Sequence, residues 1–129
     1  MKKIIQTDHA PKAVGPYSQA IRLGDFLFCS GQISIDPKNQ EVFTGDIKKQ
    51  TEMVLNNIEA VLKASEMNLS HIVKTTIFLT NMADFTVVNE VYGQRFTKNP
   101  PARSTVAVAG LPKGVNVEIE VMAHALAES

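Results

Sequence analysis

The sequence predicts an α+β domain in which two α-helices cover one face of a mixed β-sheet of about six strands. Two observations indicate this class. Segments with strand character and segments with helical spacing alternate as strand, helix, strand, helix, strand. Nearer the N-terminus, two further strand-like segments flank Gly24-Asp25, a pair suited to a hairpin turn. Crossover connections make their strands parallel, whereas a hairpin is antiparallel, so the sheet is predicted to be mixed.

The composition bounds the protein class. A chain of 129 residues has room for one ordinary domain, so we expect a single domain over residues 1–129. Hydrophobic residues make up 44% and charged residues 20%, which is typical of a folded protein rather than a disordered one. Lys plus Arg and Asp plus Glu number 13 each, which argues against a general nucleic-acid partner because such binding depends on a basic surface.

The cysteine content and the lack of long apolar segments predict where in the cell the protein is located. Cys29 is the single cysteine, so no internal disulfide can form, and a cytoplasmic location is expected. No segment has the apolar length of a signal peptide or a membrane span, so no membrane partner is expected.

The first half of the chain is predicted to contain three strands and one long helix. The strands cover Lys3–Gln6, Tyr17–Leu23 and Phe26–Ile33. The helix runs from about Asp46 to Glu66, with Asp46 as the N-cap. Its apolar residues form one stripe, namely Ile47, Val54, Leu55, Ile58, Val61 and Leu62.

The second half is predicted to contain three more strands around a second helix. Ile72–Leu79 is rich in β-branched residues, which favour strands. The helix covers about Ala83–Phe96 and ends before Pro100-Pro101, because proline cannot continue a helix. Strands over Ser104–Ala109 and Val115–Ala123 follow, and the last has the clearest alternation of apolar and polar residues.

The face of the sheet opposite the helices has a mixed pattern. On the last strand, Glu118 and Glu120 alternate with valines and isoleucine, so they share the face that the helices leave uncovered. Ile72 and Phe78 share a face with Lys74. A half-apolar face is commonly covered by another copy of the chain, which predicts a homo-oligomer.

Two kinds of charged residue are candidates for chemistry. Arg103 follows the rigid Pro100-Pro101 turn, and a guanidinium held in this way suits capture of a carboxylate or phosphate. A surface or interface salt bridge is the commoner role of such an arginine. Glu118 or Glu120, beside an apolar surface, could act as an acid or base, although a solvated strand face is the commoner case. Strand periodicity does not choose between the two glutamates.

Smaller residues and negative findings complete the pattern. Gly31 after Ser30 indicates either a bulge or a close approach of the backbone to a ligand, or else steric packing against a neighbour. Tyr17 is a candidate site hydroxyl or a half-buried core residue, and Cys29 is expected to be a small buried apolar group. The three histidines have no metal-ligand spacing, and no Gly-rich nucleotide motif is present, so no metal or nucleotide cofactor is expected.

Several segments, taken in order, resemble the YjgF/RidA family over essentially the whole chain. These are Gly15-Pro16-Tyr17-Ser18-Gln19, Ser30-Gly31-Gln32-Ile33, Val88-Asn89-Glu90-Val91-Tyr92, Pro101-Ala102-Arg103-Ser104 and the run from Leu111 to Glu120. The resemblance implies a chorismate-mutase-like α+β fold and a homotrimer with sites between subunits. It also implies hydrolysis of 2-iminobutanoate and 2-iminopropanoate to 2-keto acids and ammonia, without a metal or organic cofactor. A non-catalytic trimer that binds keto acids is the alternative.

The resemblance also implies roles for individual residues. Arg103 matches the arginine that clamps the substrate carboxylate, and Glu118 matches the glutamate that positions water. Tyr17, Ser30 and Gly31 match the pocket wall, and Asn89 matches a position near it. Thr105 stands where many members have cysteine, which affects the expected pocket size and substrate preference more than the reaction type.

Overall fold

The computed structural model describes residues 1–128 and confirms the α+β class. The main elements, in chain order, are β1 (Lys3–Ile5), β2 (Ala20–Leu23), β3 (Phe26–Cys29), α1 (Ile47–Lys63), β4 (Ile72–Leu79), α2 (Phe85–Arg95), β5 (Ala102–Ala107) and β6 (Val117–His124). The six strands form one sheet in the order β1-β2-β3-β6-β4-β5. Within the described residues, no helix has the length and hydropathy needed to cross a membrane.

The sheet is mixed, as predicted. β4 and β5 are parallel and are joined by α2, while every other neighbouring pair is antiparallel. The last strand, β6, lies between β3 and β4 and pairs with both. Both of these strands run antiparallel to β6 and are therefore parallel to each other, as the crossover through α1 requires.

Helix α1 forms where its apolar stripe and its cap predict it. The Asp46 side chain accepts hydrogen bonds from the backbone N–H groups of Lys48 and Lys49, which satisfies donors that the first turn leaves free. Five of the six stripe residues are at most 1% exposed and Ile47 is partly buried. Each fully buried aliphatic side chain stabilises the fold by about 1.5–3 kcal/mol. The helix ends at Lys63, earlier than predicted, because Glu66 has a left-handed φ of 59° that a helix cannot contain.

The hairpin strands are shorter than predicted. Regular pairing of β2 with β3 ends where Ala20 faces Cys29, so Tyr17 precedes β2 and the segment from Ser30 follows β3 as irregular backbone. The Ser30 N–H still donates to the Gln19 carbonyl at 2.9 Å. The chain then forms one isolated bridge to β6 through Gln32 and Ile119. The loop is thereby held against the strand that carries both glutamates.

The two faces of the sheet differ in burial. On the helix side, the apolar residues of β6 are almost completely buried. On the opposite side, large apolar side chains remain exposed, namely Ile4, Phe26, Phe28, Val106 and Met122. Their positions in the register place them on one face with Lys74 and Glu120. One chain therefore leaves a broad, partly apolar sheet face without a cover.

Candidate functional site

A cavity of about 400 Å³ lies between the loop after β3, the segment before β2 and the start of β6. Tyr17, Ser30, Gly31 and Glu118 all line it, so the structure brings four of the predicted site residues together. They come from sequence positions far apart, and the bridge between Gln32 and Ile119 joins the loop to the strand. The volume is in the range of pockets that bind small molecules.

The Glu118 carboxylate packs directly against the backbone of Gly31. A Cβ atom added at Gly31 would overlap the carboxylate, so only glycine allows this approach. Of the two interpretations of Gly31, the structure supports steric packing against a neighbour, and that neighbour is the Glu118 side chain. Glu120 lies elsewhere, beside Phe28 and Lys74. Tertiary contacts thus distinguish two glutamates that strand periodicity leaves equivalent.

The environment of Glu118 raises the pKa of its carboxyl above the ordinary value of 4.5. Burial is the larger cause, because it disfavours the charged form, and the negative charge of Glu120 adds to it. A carboxylate with a raised pKa holds a proton more readily and is therefore a stronger base when ionised. This is the property that a group taking a proton from water requires.

Removing the charge of Glu120 is expected to lower the pKa of Glu118. In Glu120→Gln the neighbouring negative charge is gone, so ionising Glu118 costs less, while the effect of burial remains. The measurement is an NMR titration of the side-chain carboxyl carbons, with Glu118→Gln identifying the signal. We expect the Glu118 midpoint to fall toward the ordinary value without reaching it. An unchanged or higher midpoint in Glu120→Gln would contradict this account.

Substituting alanine for Gly31 is expected to impair the site while sparing the fold. The new methyl group must displace the Glu118 carboxylate, which is the end of a flexible side chain and can move away cheaply. A misplacement of about 1 Å in a reacting group costs up to about a hundredfold in rate, so turnover that depends on this carboxylate should fall by about tenfold to a hundredfold. Turnover and thermal melting, measured on the same sample, test this.

Gly93 provides the matched control. It is exposed in α2, and an added Cβ would meet no atom within 4 Å. Gly93→Ala should therefore stabilise the protein by about 0.5–1 kcal/mol and leave turnover unchanged. If both alanine variants lose activity equally, the contact between Gly31 and Glu118 does not matter for function.

The other lining groups offer hydrogen-bonding capacity. The Ser30 hydroxyl donates to the Ser18 carbonyl at 2.6 Å, so its oxygen can still accept from a ligand. Within residues 1–128, the backbone N–H of Gly31 donates to no protein acceptor. Tyr17 is 54% exposed at the cavity wall, with no hydrogen bond from its hydroxyl within the described residues. The wall thus combines one free donor with hydroxyl groups.

Arg103 lies apart from this cavity, on β5 against α2. Its Nη1 donates to the Asn89 side-chain oxygen at 2.8 Å. Its Cζ lies 5.0 Å from the centroid of the Tyr92 ring and 5.4 Å from that of Phe85. No carboxylate pairs with it in the part of the chain that the structure describes. The guanidinium is therefore held by neutral groups and keeps its charge available for an anion.

Asn89 and Thr105 lie beside Arg103 and not in the cavity. The Asn89 oxygen is engaged by the arginine, which gives this residue a contact with Arg103 rather than with the cavity. Thr105 lies two residues after Arg103 on the same face of β5. Its hydroxyl oxygen is shielded from solvent and has no hydrogen-bond partner in residues 1–128.

Arg103 and Glu118 lie on opposite faces of the sheet. Arg103 is paired with Thr75 on β4, and Thr75 is paired with Val121 on β6. Residues paired across neighbouring strands in this way project from the same face of the sheet. Glu118 is three positions from Val121 and so points to the other side. Within one chain, the two charged groups cannot both touch a small ligand.

The residues at these two places that were not expected from the sequence include two lysines and two aromatic residues. Lys12 and Lys113 also line the cavity, and Phe85 and Tyr92 lie against Arg103. The helical spacing of Phe85 and Tyr92 predicts only core packing. The sequence does indicate a turn at Lys113, because Pro112-Lys113-Gly114 is a turn sequence directly before β6. In the structure Lys113 adopts a left-handed φ of 58°.

Comparison with known proteins identifies the family. The family model described as Endoribonuclease L-PSP matches residues 7–125. The chain belongs to this family, which is also known as YjgF/RutC/RidA. The resemblance stated from the sequence is therefore confirmed.

Members of the L-PSP family match over nearly the whole chain. RutC family protein PH0854 of Pyrococcus horikoshii is 52% identical over 96% of this chain and 98% of that protein. The chloroplastic Reactive Intermediate Deaminase A of Arabidopsis thaliana is 44% identical over 95% of this chain and 65% of that protein.

Solved structures of L-PSP relatives match the fold. The Rid-family protein YyfA of Yersinia pestis has a TM-score of 0.92 at 50% identity, covering 96% of this chain and 99% of that one. TdcF of E. coli, solved with bound serine, has a TM-score of 0.90 at 42% identity, covering 95% of this chain and 98% of that one.

Proposed function

We propose that this protein hydrolyses small 2-imino acids, 2-iminobutanoate and 2-iminopropanoate, to the corresponding 2-keto acids and ammonia. The observation that carries the proposal is the half-buried Glu118 carboxylate, with its raised pKa, in a cavity large enough for such a molecule. A deaminase of reactive intermediates is among the relatives of this chain, which supports the same chemistry.

Arg103 is proposed to bind the substrate carboxylate. A 2-imino acid carries its negative charge next to the reacting carbon, and a guanidinium binds a carboxylate through two parallel N–H···O bonds. Arg103 suits this role because it has no acidic partner within the described residues. TdcF, a relative solved with bound serine, binds a molecule with the same carboxylate group.

The site is proposed to form between chains of a homotrimer. Glu118 and Arg103 lie on opposite faces of one sheet, so one substrate can meet both only if they come from different copies. The exposed apolar face opposite the helices offers a surface for such packing. Three copies in a closed ring would give every chain one neighbour on each side and form three equivalent sites.

The proposed reaction begins with water held by Glu118. The water oxygen bonds to the imine carbon, the C=N electron pair moves to nitrogen, and Glu118 takes the released proton. Glu118 returns that proton to nitrogen, and the C–N bond breaks to release ammonia. The carbinol O–H proton passes to the ionised Glu118 and from there to the ammonia, so the carbinol oxygen becomes the keto oxygen and ammonium leaves. One iminium and one water thus yield one keto acid and one ammonium ion. The N–H of Gly31, which donates to no protein acceptor in residues 1–128, is proposed to donate a hydrogen bond to the oxygen of the carbinolamine intermediate.

A coupled assay tests the proposal. A pyridoxal-phosphate threonine dehydratase releases 2-iminobutanoate from threonine, and serine gives 2-iminopropanoate. Adding the purified protein should increase the rate of keto acid formation above the spontaneous rate, in proportion to its concentration. Keto acid formation at the rate of dehydratase alone, with both amino acids, would contradict the proposal.

The same preparation distinguishes the alternatives. A non-catalytic trimer would bind 2-ketobutanoate in calorimetry without accelerating its formation. An RNA-cleaving activity, which the family description names, would degrade single-stranded RNA and lose that activity in Glu118→Gln. We expect no RNA cleavage, because the net charge is zero and RNA binding depends on a basic surface.

A further inference from the structure

We propose that Phe85, Asn89 and Tyr92 of α2 are positioning residues that hold the Arg103 guanidinium in the plane and direction needed to bind the substrate carboxylate. This inference rests on the proposed function. It assigns to the helix the task that the sequence alone suggested for the Pro100-Pro101 turn.

The three residues form one surface of α2. Their positions are i, i+4 and i+7, which lie on the same side of a helix. The Arg103 Cζ lies 5.0 Å from the Tyr92 ring centroid and 5.4 Å from the Phe85 ring centroid, both within the range of a cation–π interaction. The two rings, together with the hydrogen bond that Arg103 donates to the Asn89 side-chain oxygen, restrict rotation about the torsions of the arginine side chain.

The strand that carries Arg103 does not itself hold the guanidinium. β5 is an edge strand, so one side of it has no neighbouring strand within the described residues. The Arg103 side chain on this strand is exposed. A long side chain on such an edge would sample many rotamers, and fixing it would cost free energy at each binding event. Contacts with α2 restrict the rotamers of Arg103 already in the free protein, so less conformational entropy is lost when the substrate binds.

The contacts also select which donors remain free. A guanidinium has five N–H donors, and Asn89 accepts one from Nη1. In residues 1–128 the remaining donors have no acceptor, so they stay available for a planar, two-oxygen acceptor. Asn89 is neutral, so it directs the cation without cancelling its charge, as an aspartate at that position would.

Tyr92 is itself firmly fixed. Its hydroxyl is 2.8 Å from the Thr75 Oγ1 in the buried core, and its ring packs 4.4 Å from the Phe96 ring. Tyr92 is 4% exposed, so it is part of the rigid interior rather than a mobile surface group. A continuous series of contacts therefore links β4, through Tyr92, to the guanidinium.

The experiment measures kcat and KM for 2-iminobutanoate in Phe85→Leu, Asn89→Ala, Tyr92→Phe and Tyr92→Leu. We expect Phe85→Leu and Asn89→Ala each to raise KM by about threefold to tenfold with little change in kcat, because the contacts act through carboxylate binding. Tyr92→Phe keeps the ring but loses the hydroxyl that contacts Thr75, so it should raise KM less than Tyr92→Leu, which loses the ring. Asn89→Gln, which keeps an amide, should restore part of the loss.

An NMR readout separates positioning from general destabilisation. The Nε–H signal of Arg103 should relax as a rigid group in the wild type and as a mobile one in Phe85→Leu, at unchanged melting temperature. A KM and an Nε–H mobility that stay at wild-type values in both Phe85→Leu and Asn89→Ala would overturn the inference. If instead the wild-type protein hydrolyses no imine while Arg103 loses rigidity in these variants, the proposed function fails and the positioning role stands.

Discussion

Replacing Arg103 by alanine should lower kcat/KM for 2-iminobutanoate by about 30-fold to 4,000-fold. Removing one partner of a charged, hydrogen-bonded pair costs about 2–5 kcal/mol, and each 1.4 kcal/mol is a factor of ten. The loss should be large because Asn89 and the rings of α2 already hold this guanidinium in place, so its removal loses a charge that is fixed before the substrate binds. The coupled dehydratase assay provides the measurement.

Two further arginine variants sharpen the Arg103→Ala result. Arg103→Lys keeps the charge but loses the planar fork, so it should fall between alanine and the wild type. Arg95→Ala is the matched control on α2, where the arginine contacts Glu59 at 3.6 Å and Asn56 at 2.9 Å on the surface. It should cost at most about 1 kcal/mol of stability and no activity. Full turnover in Arg103→Ala would exclude the arginine as the carboxylate clamp.

Mixing two inactive variants should restore activity. Glu118→Gln is expected to lose about 10²–10⁴ in kcat, because an amide cannot take a proton from water. In a mixed trimer, a site regains function where the intact Glu118 of one chain meets the intact Arg103 of its neighbour. Random assembly of equal amounts of Arg103→Ala and Glu118→Gln makes about one site in four intact. Co-expression with two different purification tags isolates the mixed species for assay.

The control for mixing uses two changes on the same side of the site. Gly31→Ala and Glu118→Gln both disturb the cavity wall around one carboxylate, so no mixed site receives an undamaged wall from the variant chains. Mixed trimers of Gly31→Ala and Glu118→Gln should show no more activity than the two variants contribute separately. If Arg103→Ala and Glu118→Gln also fail to complement, the two residues do not act together across an interface.

Local periodicity predicted much of the fold. The stripe and Asp46 cap of α1, the limits of β4 and the alternation along β6 depend on residues close in sequence, so they can be read from it directly. The Arg103 and Thr105 pair on one face of β5 follows from the same rule. Errors fall at strand and helix ends, where pairing and turn geometry decide the boundary.

The sequence by itself determined the fold class, the positions of its main elements and, through its motifs, the family. Tertiary structure decided which glutamate lies against Gly31, that Arg103 faces α2, and that these two charges lie on opposite sides of one sheet. The reason is that β6 inserts between β3 and β4, a long-range pairing that no local pattern encodes. The two-residue periodicity of a strand shows only that successive side chains point to opposite faces of the sheet. Which of the two faces packs against the helices depends on the strands and helices that surround that strand.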